Sequence, residues 1–258
     1  AAQHLKARMS YRADFFAEAA ASALGAAFSL GFVWLLFANP QVQSIRGWNR
    51  DQVLFIYGYS LVPFGLFNII SFNIYEFGER YLIEGHLDRV LLRPVAAPVQ
   101  ILCESFRLSS LAEAGCGMVI VAYASAGLGL TWTAADLVMF AGQAVSGACI
   151  LLGVFLGLAC VNFWAEDRIG ISPPVYNMIN FGRYPVTIYR PWLRIVLSWV
   201  VPFAFLGFYP ASGFLLSGEA FLPFRAYWYA TPLVGLACLL VAAGLWRLGL
   251  RRYASTGS

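Results

Sequence analysis

The sequence predicts an all-α polytopic membrane protein: one transmembrane domain over residues 1–258, with six membrane-crossing helices. Three observations carry that expectation. Hydrophobic residues make up 60% of the chain and charged residues only 12%, against roughly 25% charged in an ordinary soluble domain. Apolar stretches of about 20 residues recur, each long enough to cross a bilayer of about 30 Å. These stretches are continuous rather than alternating, which argues against a β-barrel.

Taken in order, residues 3–16 form an expected interfacial helix that overlaps a polar lead of residues 1–14. Leu5, Met9, Ala13 and Phe16 make its apolar face, and Lys6, Arg8 and Arg12 meet anionic headgroups. This lead does not read as a cleavable signal peptide. Span 1 is expected over 15–37, ending at Asn39-Pro40. Residues 40–51 form an outer loop with Trp48 as an interfacial anchor. Span 2 covers 52–72, with a kink at Pro63. Span 3 covers 101–128. Glu104 and Arg107 are spaced to pair at its inner end, and Glu113 lies deeper. Span 4 covers 135–163 and carries Gly153 and Gly157, a small-xxx-small spacing that permits close helix approach. Span 6 covers 226–248 and ends in Arg247, Arg251 and Arg252.

Residues 169–225 admit two readings. Hydropathy favours span 5 at 193–216. The alternative places it at 170–189, so that residues 190–222 form a helical hairpin dipping in from outside and broken at Pro202 and Pro210. Non-helical backbone at that depth is tolerated only where protein covers it. Both placements satisfy the positive-inside rule with both termini cytoplasmic. The late placement fits it better, because the early one adds Arg190 and Arg194 to the outer side and puts Arg183 inside the span.

Residues 75–100 hold the densest run of charge: Glu76, Glu79, Arg80, Glu84, Asp88, Arg89 and Arg93, with His86. Each charge in lipid would cost about 2.5–3.5 kcal/mol, so this stretch lies in water between spans 2 and 3. Ile74, Phe77, Gly78, Tyr81 and Leu82 share one helical face. Glu76 and Arg80 stand four apart with the acid first, the favourable order. Gly85 breaks the run. A short amphipathic helix follows, with Leu87, Val90 and Leu91 on one side and Asp88, Arg89 and Arg93 on the other, until Pro94 stops it. Such a helix suits either a solvated loop or docking into a groove on a partner.

Other machinery is missing from the sequence. It has no GxxxxGK[ST] phosphate loop. The only histidines, His4 and His86, assemble no nucleophile–base or metal constellation. The five cysteines are odd in number and lack metal spacing, so neither disulfides nor a metal are expected. The net charge of +4 calls for no nucleic acid. Glu113 is the one acid well inside a span, either neutral or paired with a neighbouring helix, or part of a substrate path. The expectation is a six-span module whose engine sits on a separate chain. A membrane-embedded enzyme or assembly factor would need a titratable cluster, and an ion-gradient carrier would need paired intramembrane acids.

Several segments carry a family resemblance: EGHLDRVLLRP at 84–94 feeding AAPVQ, Pro185-Val186 followed by Pro-Trp-Leu-Arg ending at Arg194, VPFAF-x3-YPA at 201–211, and the terminal RRYASTGS. Together they resemble the permease subunits of bacterial type-2 ATP-binding-cassette exporters, in a branch with permeases of about 260 residues. The resemblance implies a multi-pass protein of the bacterial cytoplasmic (inner) membrane. It implies pairing with a second permease, identical or homologous, and with two ATPase subunits that carry the ATP and Mg; no cofactor is expected in this chain. The 1–14 lead becomes a connecting helix. Glu84, Leu87, Asp88, Arg89, Val90, Leu91 and Arg93 become a coupling helix, with the leucines and valine filling an ATPase groove and Arg89 and Arg93 meeting its acids. The resemblance also favours the 190–222 hairpin, and with it the early span 5. The absence of an EAA-type importer loop favours export. A substrate path along spans 2 and 5 would involve Asn68, Phe72, Glu113, Asn177 and Phe181, and would suit lipid-like or amphipathic cargo.

Overall fold

The computed structural model describes residues 16–17, 20–21, 23–25, 27–39, 42–107, 109–164 and 172–253. The expected interfacial helix at 3–16 therefore lies almost wholly outside the described residues. The described residues are helical, with no strand beyond one isolated bridge between Ile45 and Trp48.

Helix α1 (Ala23–Leu36) is apolar and largely exposed, with Val33 turned into the core. A tight turn follows, in which Ile45 and Trp48 exchange backbone hydrogen bonds of 2.9 and 3.1 Å around Arg46 and Gly47. Both central residues have positive φ, 52° and 88°, the geometry of a type I′ turn. The turn delivers Trp48 inward rather than to a lipid interface. Its ring is 6% exposed, its Nε1–H donates to Thr187 Oγ1 at 2.7 Å, and it meets Phe208 edge-on.

Helix α2 (Arg50–Asn68) starts on a reciprocal cap between Asn49 and Gln52 and is the most enclosed element, buried along nearly its whole length. Pro63 lies within it and packs on Gly147. Beyond α2 come α3 (Phe72–Tyr75), a π-helical segment (Phe77–Ile83), α4 (His86–Leu91) and α5 (Ala97–Cys103). Helix α6 (Ser110–Leu128) ends on Gly129 in the left-handed region, and α7 (Ala134–Cys160) opens on a Thr133–Asp136 capping box. Span 3 was expected as one helix over 101–128, but the chain breaks between Cys103 and Ser110, where Glu104 turns aside to meet Arg80.

Close backbone approach fixes the packing. A methyl group at Gly65 of α2 would stand 2.6 Å from Ala114 N on α6. A methyl group at Gly153 of α7 would stand 2.5 Å from the Cys238 carbonyl carbon on α11 (Leu222–Leu250). The small-xxx-small spacing at Gly153 thus serves a contact inside the chain, where dispersion between backbones replaces the hydrophobic drive that lipid removes.

Between α7 and α11 the chain forms α8 (Ser172–Gly182), α9 (Pro191–Ile195) continued by a π-helical turn to Val200, and α10 (Phe208–Leu215). The segments Pro191–Val200 and Phe203–Leu215 meet at 78°. A straight span over 193–216 is therefore not formed. Pro202 sits at the bend, whereas Pro210 does not break the chain: it lies in the first turn of α10, where no backbone donor is needed. The bent backbone is covered by protein, since Phe203, Ala204, Phe205, Leu206, Phe208 and Tyr209 are all buried.

Among the described residues, three helices are long and apolar enough to cross a membrane: Ser110–Leu128, Ala134–Phe163 and Leu222–Leu250. The bent pair makes a fourth if counted as one span. The bundle has two distinct ends. One gathers Trp48, the Trp132 loop and the α9–α10 bend, joined by stacking of Phe55, Trp132 and Phe214. The other gathers α3–α5 with the ends of α7 and α11, through Phe77 against Phe163 and Trp246. Phe163 lies at the second end and Thr187 touches Trp48 at the first.

Candidate docking helix and inner cavity

At the polar end, Ile74, Phe77 and Tyr81 are buried on the shared face that their spacing predicts. The segment is wound wider than an α-helix, with Glu84 N–H reaching Glu79 O at 3.0 Å across five residues. Arg80 meets Glu104 at 2.8 Å and, more loosely, Glu76 at 3.8 Å. The Tyr81 hydroxyl donates to the other Glu104 oxygen. Burial first, and then the Glu104 carboxylate, push the Tyr81 phenol pKa above its ordinary value, so it remains a donor. These partly exposed ion pairs each contribute about 0–1 kcal/mol. Their larger effect is geometric, because Glu104 fastens the break before α6 onto the segment before α4.

Gly85 then turns the chain at φ 72°, a conformation that costs most other residues about 1–2 kcal/mol. Helix α4 follows at once. Leu87 is 0% exposed and Val90 9%, and both face the chain's own core. This corrects the expected outward stripe, since side chains covered by their own fold cannot also fill a partner's groove. The outward face is instead Leu91, 43% exposed, and Leu92, 85% exposed, flanked by exposed Glu84, Arg89, Arg93 and Val95. Leu92 was not singled out from the sequence. The available signal was its place two residues beyond Val90, about 200° round the helix and so away from the side that buries Leu87 and Val90.

Helix α4 is braced from behind. Tyr253, just beyond α11, donates its hydroxyl to Asp88 Oδ1 at 3.0 Å. Gln100 Nε2 on α5 donates to Val90 O at 3.1 Å and Val95 O at 2.5 Å. Desolvation, aided by Asp88, pushes the Tyr253 pKa up to about 12. The folded chain therefore holds this proton more tightly than a free tyrosine with a value of 10.0. The stabilisation is complete below pH 10 and fades only as pH rises toward 12, so the brace is insensitive to pH in the neutral range.

A second feature lies between α1, α2 and α6. A cavity of about 230 Å³ is lined by Gly25, Ser29, Tyr57, Leu61, Glu113, Cys116 and Arg183. Asn68 Nδ2 donates to Glu113 Oε2 at 3.0 Å, and Ser71 Oγ reaches Asn68 Oδ1 at 3.3 Å. Arg183 lies over the Phe64 ring at 4.7 Å, a cation–π contact. Of the residues expected on a substrate path, Asn68 and Glu113 come together here. Asn177 and Phe181 are exposed on α8 and do not line the cavity, and the Phe72 side chain lies outside the described residues. Arg183 and Tyr57 were missed. An arginine within an apolar segment was the signal, since such charges mark functional positions.

No curated protein and no solved structure matches the chain. A family model described as ABC-2 family transporter protein matches residues 24–257, so the chain belongs to that family and is the multi-pass membrane permease component of an ABC transporter.

Proposed function

We propose that this permease works in an ATP-driven exporter of lipid-like or amphipathic cargo in a bacterial inner membrane, with both termini cytoplasmic. It pairs with a second permease, and two ATPase subunits grip α4 from the cytosol. The observation that carries this reading is an α4 whose outer face leaves Leu91 and Leu92 exposed beside Arg89 and Arg93, while its inner face is braced by Tyr253 and Gln100. Aliphatic side chains left exposed on a braced helix end suit a groove with acidic rims.

Closure of the ATPases on ATP would push α4. The push passes through Asp88 to the end of α11, and through Arg80 and Glu104 to the start of α6. Six crossings are the reading we favour, because Phe163 and Thr187 stand at opposite ends of the bundle, and this reading makes the covered α9–α10 bend an outer re-entrant hairpin. Export fits the absence of an EAA-type importer loop from the sequence.

Affinity isolation of the chain from membranes tests the partnership. Co-isolation of an ATP-binding-cassette subunit is the expected result, and isolation as a lone chain with no ATP-dependent activity contradicts it. Within the complex, Tyr253→Phe removes the hydroxyl, just beyond α11, that donates to Asp88. The expected outcome is intact assembly with transport per ATP hydrolysed lowered severalfold, since one hydrogen bond to a charged group is worth about 1.5–3 kcal/mol. Unchanged coupling in that variant would remove α11 from the transmission path.

A further inference from the structure

We infer that the cavity holding Glu113 and Arg183 binds a lipid headgroup that is an ammonium–phosphate zwitterion. A carboxylate and a guanidinium line the same space, yet no ion pair within 4.0 Å joins them. Arg183 Nε is buried without a hydrogen-bond partner, a costly state unless a ligand or water completes it. Asn68 holds one Glu113 oxygen at 3.0 Å and so fixes the carboxylate in place.

The charge pattern selects among ligands. An anion alone would face Glu113, a cation alone would face Arg183, and a neutral molecule would leave both charges desolvated. A phosphate carrying an ammonium two carbons away answers both. The guanidinium matches phosphate oxygens in its rigid fork, and the carboxylate accepts from the ammonium. The volume, about 230 Å³, falls below the roughly 300–1,000 Å³ of a drug-sized pocket and suits a headgroup whose chains remain outside.

Position favours a membrane lipid over a free solute. Glu113 lies three residues from the start of α6, about 4.5 Å along its axis at 1.5 Å per residue, on the side of the polar α3–α5 end and so near headgroup depth. Among the described residues, the wall formed by α1 contributes Gly25 and Ser29. The same helix exposes Phe28 at 78% and Phe32 at 55%, apolar flanks along which acyl chains can lie. Calling that lipid cargo rests on the permease reading; binding itself does not.

The full chain, purified in a neutral maltoside detergent, is titrated without ATP against short-chain phosphatidylethanolamine, phosphatidylglycerol and diacylglycerol, with retention read by native mass spectrometry. Phosphatidylethanolamine is expected to bind about tenfold or more tighter than the other two. Arg183→Gln is expected to lower its binding about tenfold, as the loss of a charge-assisted hydrogen bond gives. Glu113→Gln, which keeps an acceptor for Asn68, is expected to erase the preference over phosphatidylglycerol while leaving the latter's binding intact. Ser29→Phe fills the cavity from α1 without touching either charge and should block all lipid retention. Equal binding of phosphatidylglycerol to the native chain, or indifference to all three substitutions, overturns the inference. So does free phosphoethanolamine binding as tightly as the lipid. Because no ATPase takes part, these failures leave the docking of α4 untouched.

Discussion

Replacing Leu92 by aspartate is expected to leave the chain inserted and folded, and to abolish the ATPase and transport activity of the assembled complex. Leu92 is 85% exposed and caps α4 only through its backbone, which the substitution keeps, and a surface substitution that disturbs neither cap nor packing changes stability by about 0.5 kcal/mol or less. In the complex the same side chain would enter an apolar groove, where an unpaired carboxylate is expensive to desolvate. Anchors of this kind carry 2 kcal/mol or more of binding, which is about thirtyfold in affinity. Leu91→Asp should act in the same direction, with some loss of stability because Leu91 is only 43% exposed. Leu87→Asp differs in kind: it places a charge at a site with 0% exposure and should unfold the α4 region before any partner is met. The readout is ATP hydrolysis and cargo movement in reconstituted vesicles, beside the yield of membrane-inserted chain. Normal transport by the Leu92→Asp variant would remove the docking role of α4.

The second large effect falls on stability. Gly153→Leu is expected to cost 1–3 kcal/mol or more, the range for overpacking a filled interface. Its Cβ alone would stand 2.5 Å from the Cys238 carbonyl carbon and 2.7 Å from the Cys238 Cβ, and the obstacle includes backbone, which cannot swing away. Helices α7 and α11 must separate, and the edge-on contact of Phe163 with Trp246 goes with them. Gly142→Leu on the same helix is the control, because nothing lies within 4 Å of a Cβ there. Thermal inactivation of the detergent-purified chain separates the two. The first substitution should lower the midpoint markedly, and the second should leave it near the native value. Equal midpoints would mean that α7 and α11 do not touch at Gly153.

These substitutions mark where the sequence spoke and where it was silent. Apolar length and sparse charge announced membrane helices, because the bilayer filters composition directly. The buried face of Ile74, Phe77 and Tyr81 and the Gly85 turn were legible as local signals. Identity of the covering partner was not. The spacing of Leu87, Val90 and Leu91 states that one face is apolar, and an apolar face can lie on the chain's own core as readily as on another subunit. Trp48 resembled a membrane anchor for the same reason, although its partners, Thr187 and Phe208, are distant in sequence. The break before α6 depends on Arg80 reaching Glu104 across 24 residues, a pairing that the near neighbour Arg107 concealed. Glu113 was visible as an unusual acid. Its cavity was not, because Arg183 arrives from a segment that hydropathy alone assigned to the membrane surface.

The most direct test places a photo-reactive amino acid at position 92 in one preparation and at position 50 in another, then irradiates membranes holding the assembled complex. The account predicts a covalent product between position 92 and the ATPase subunit, changed in yield by ATP, with none from position 50, which lies at the opposite end of α2 from the α4 end. A product from position 50, or none from position 92 while the ATPase co-isolates, would contradict it.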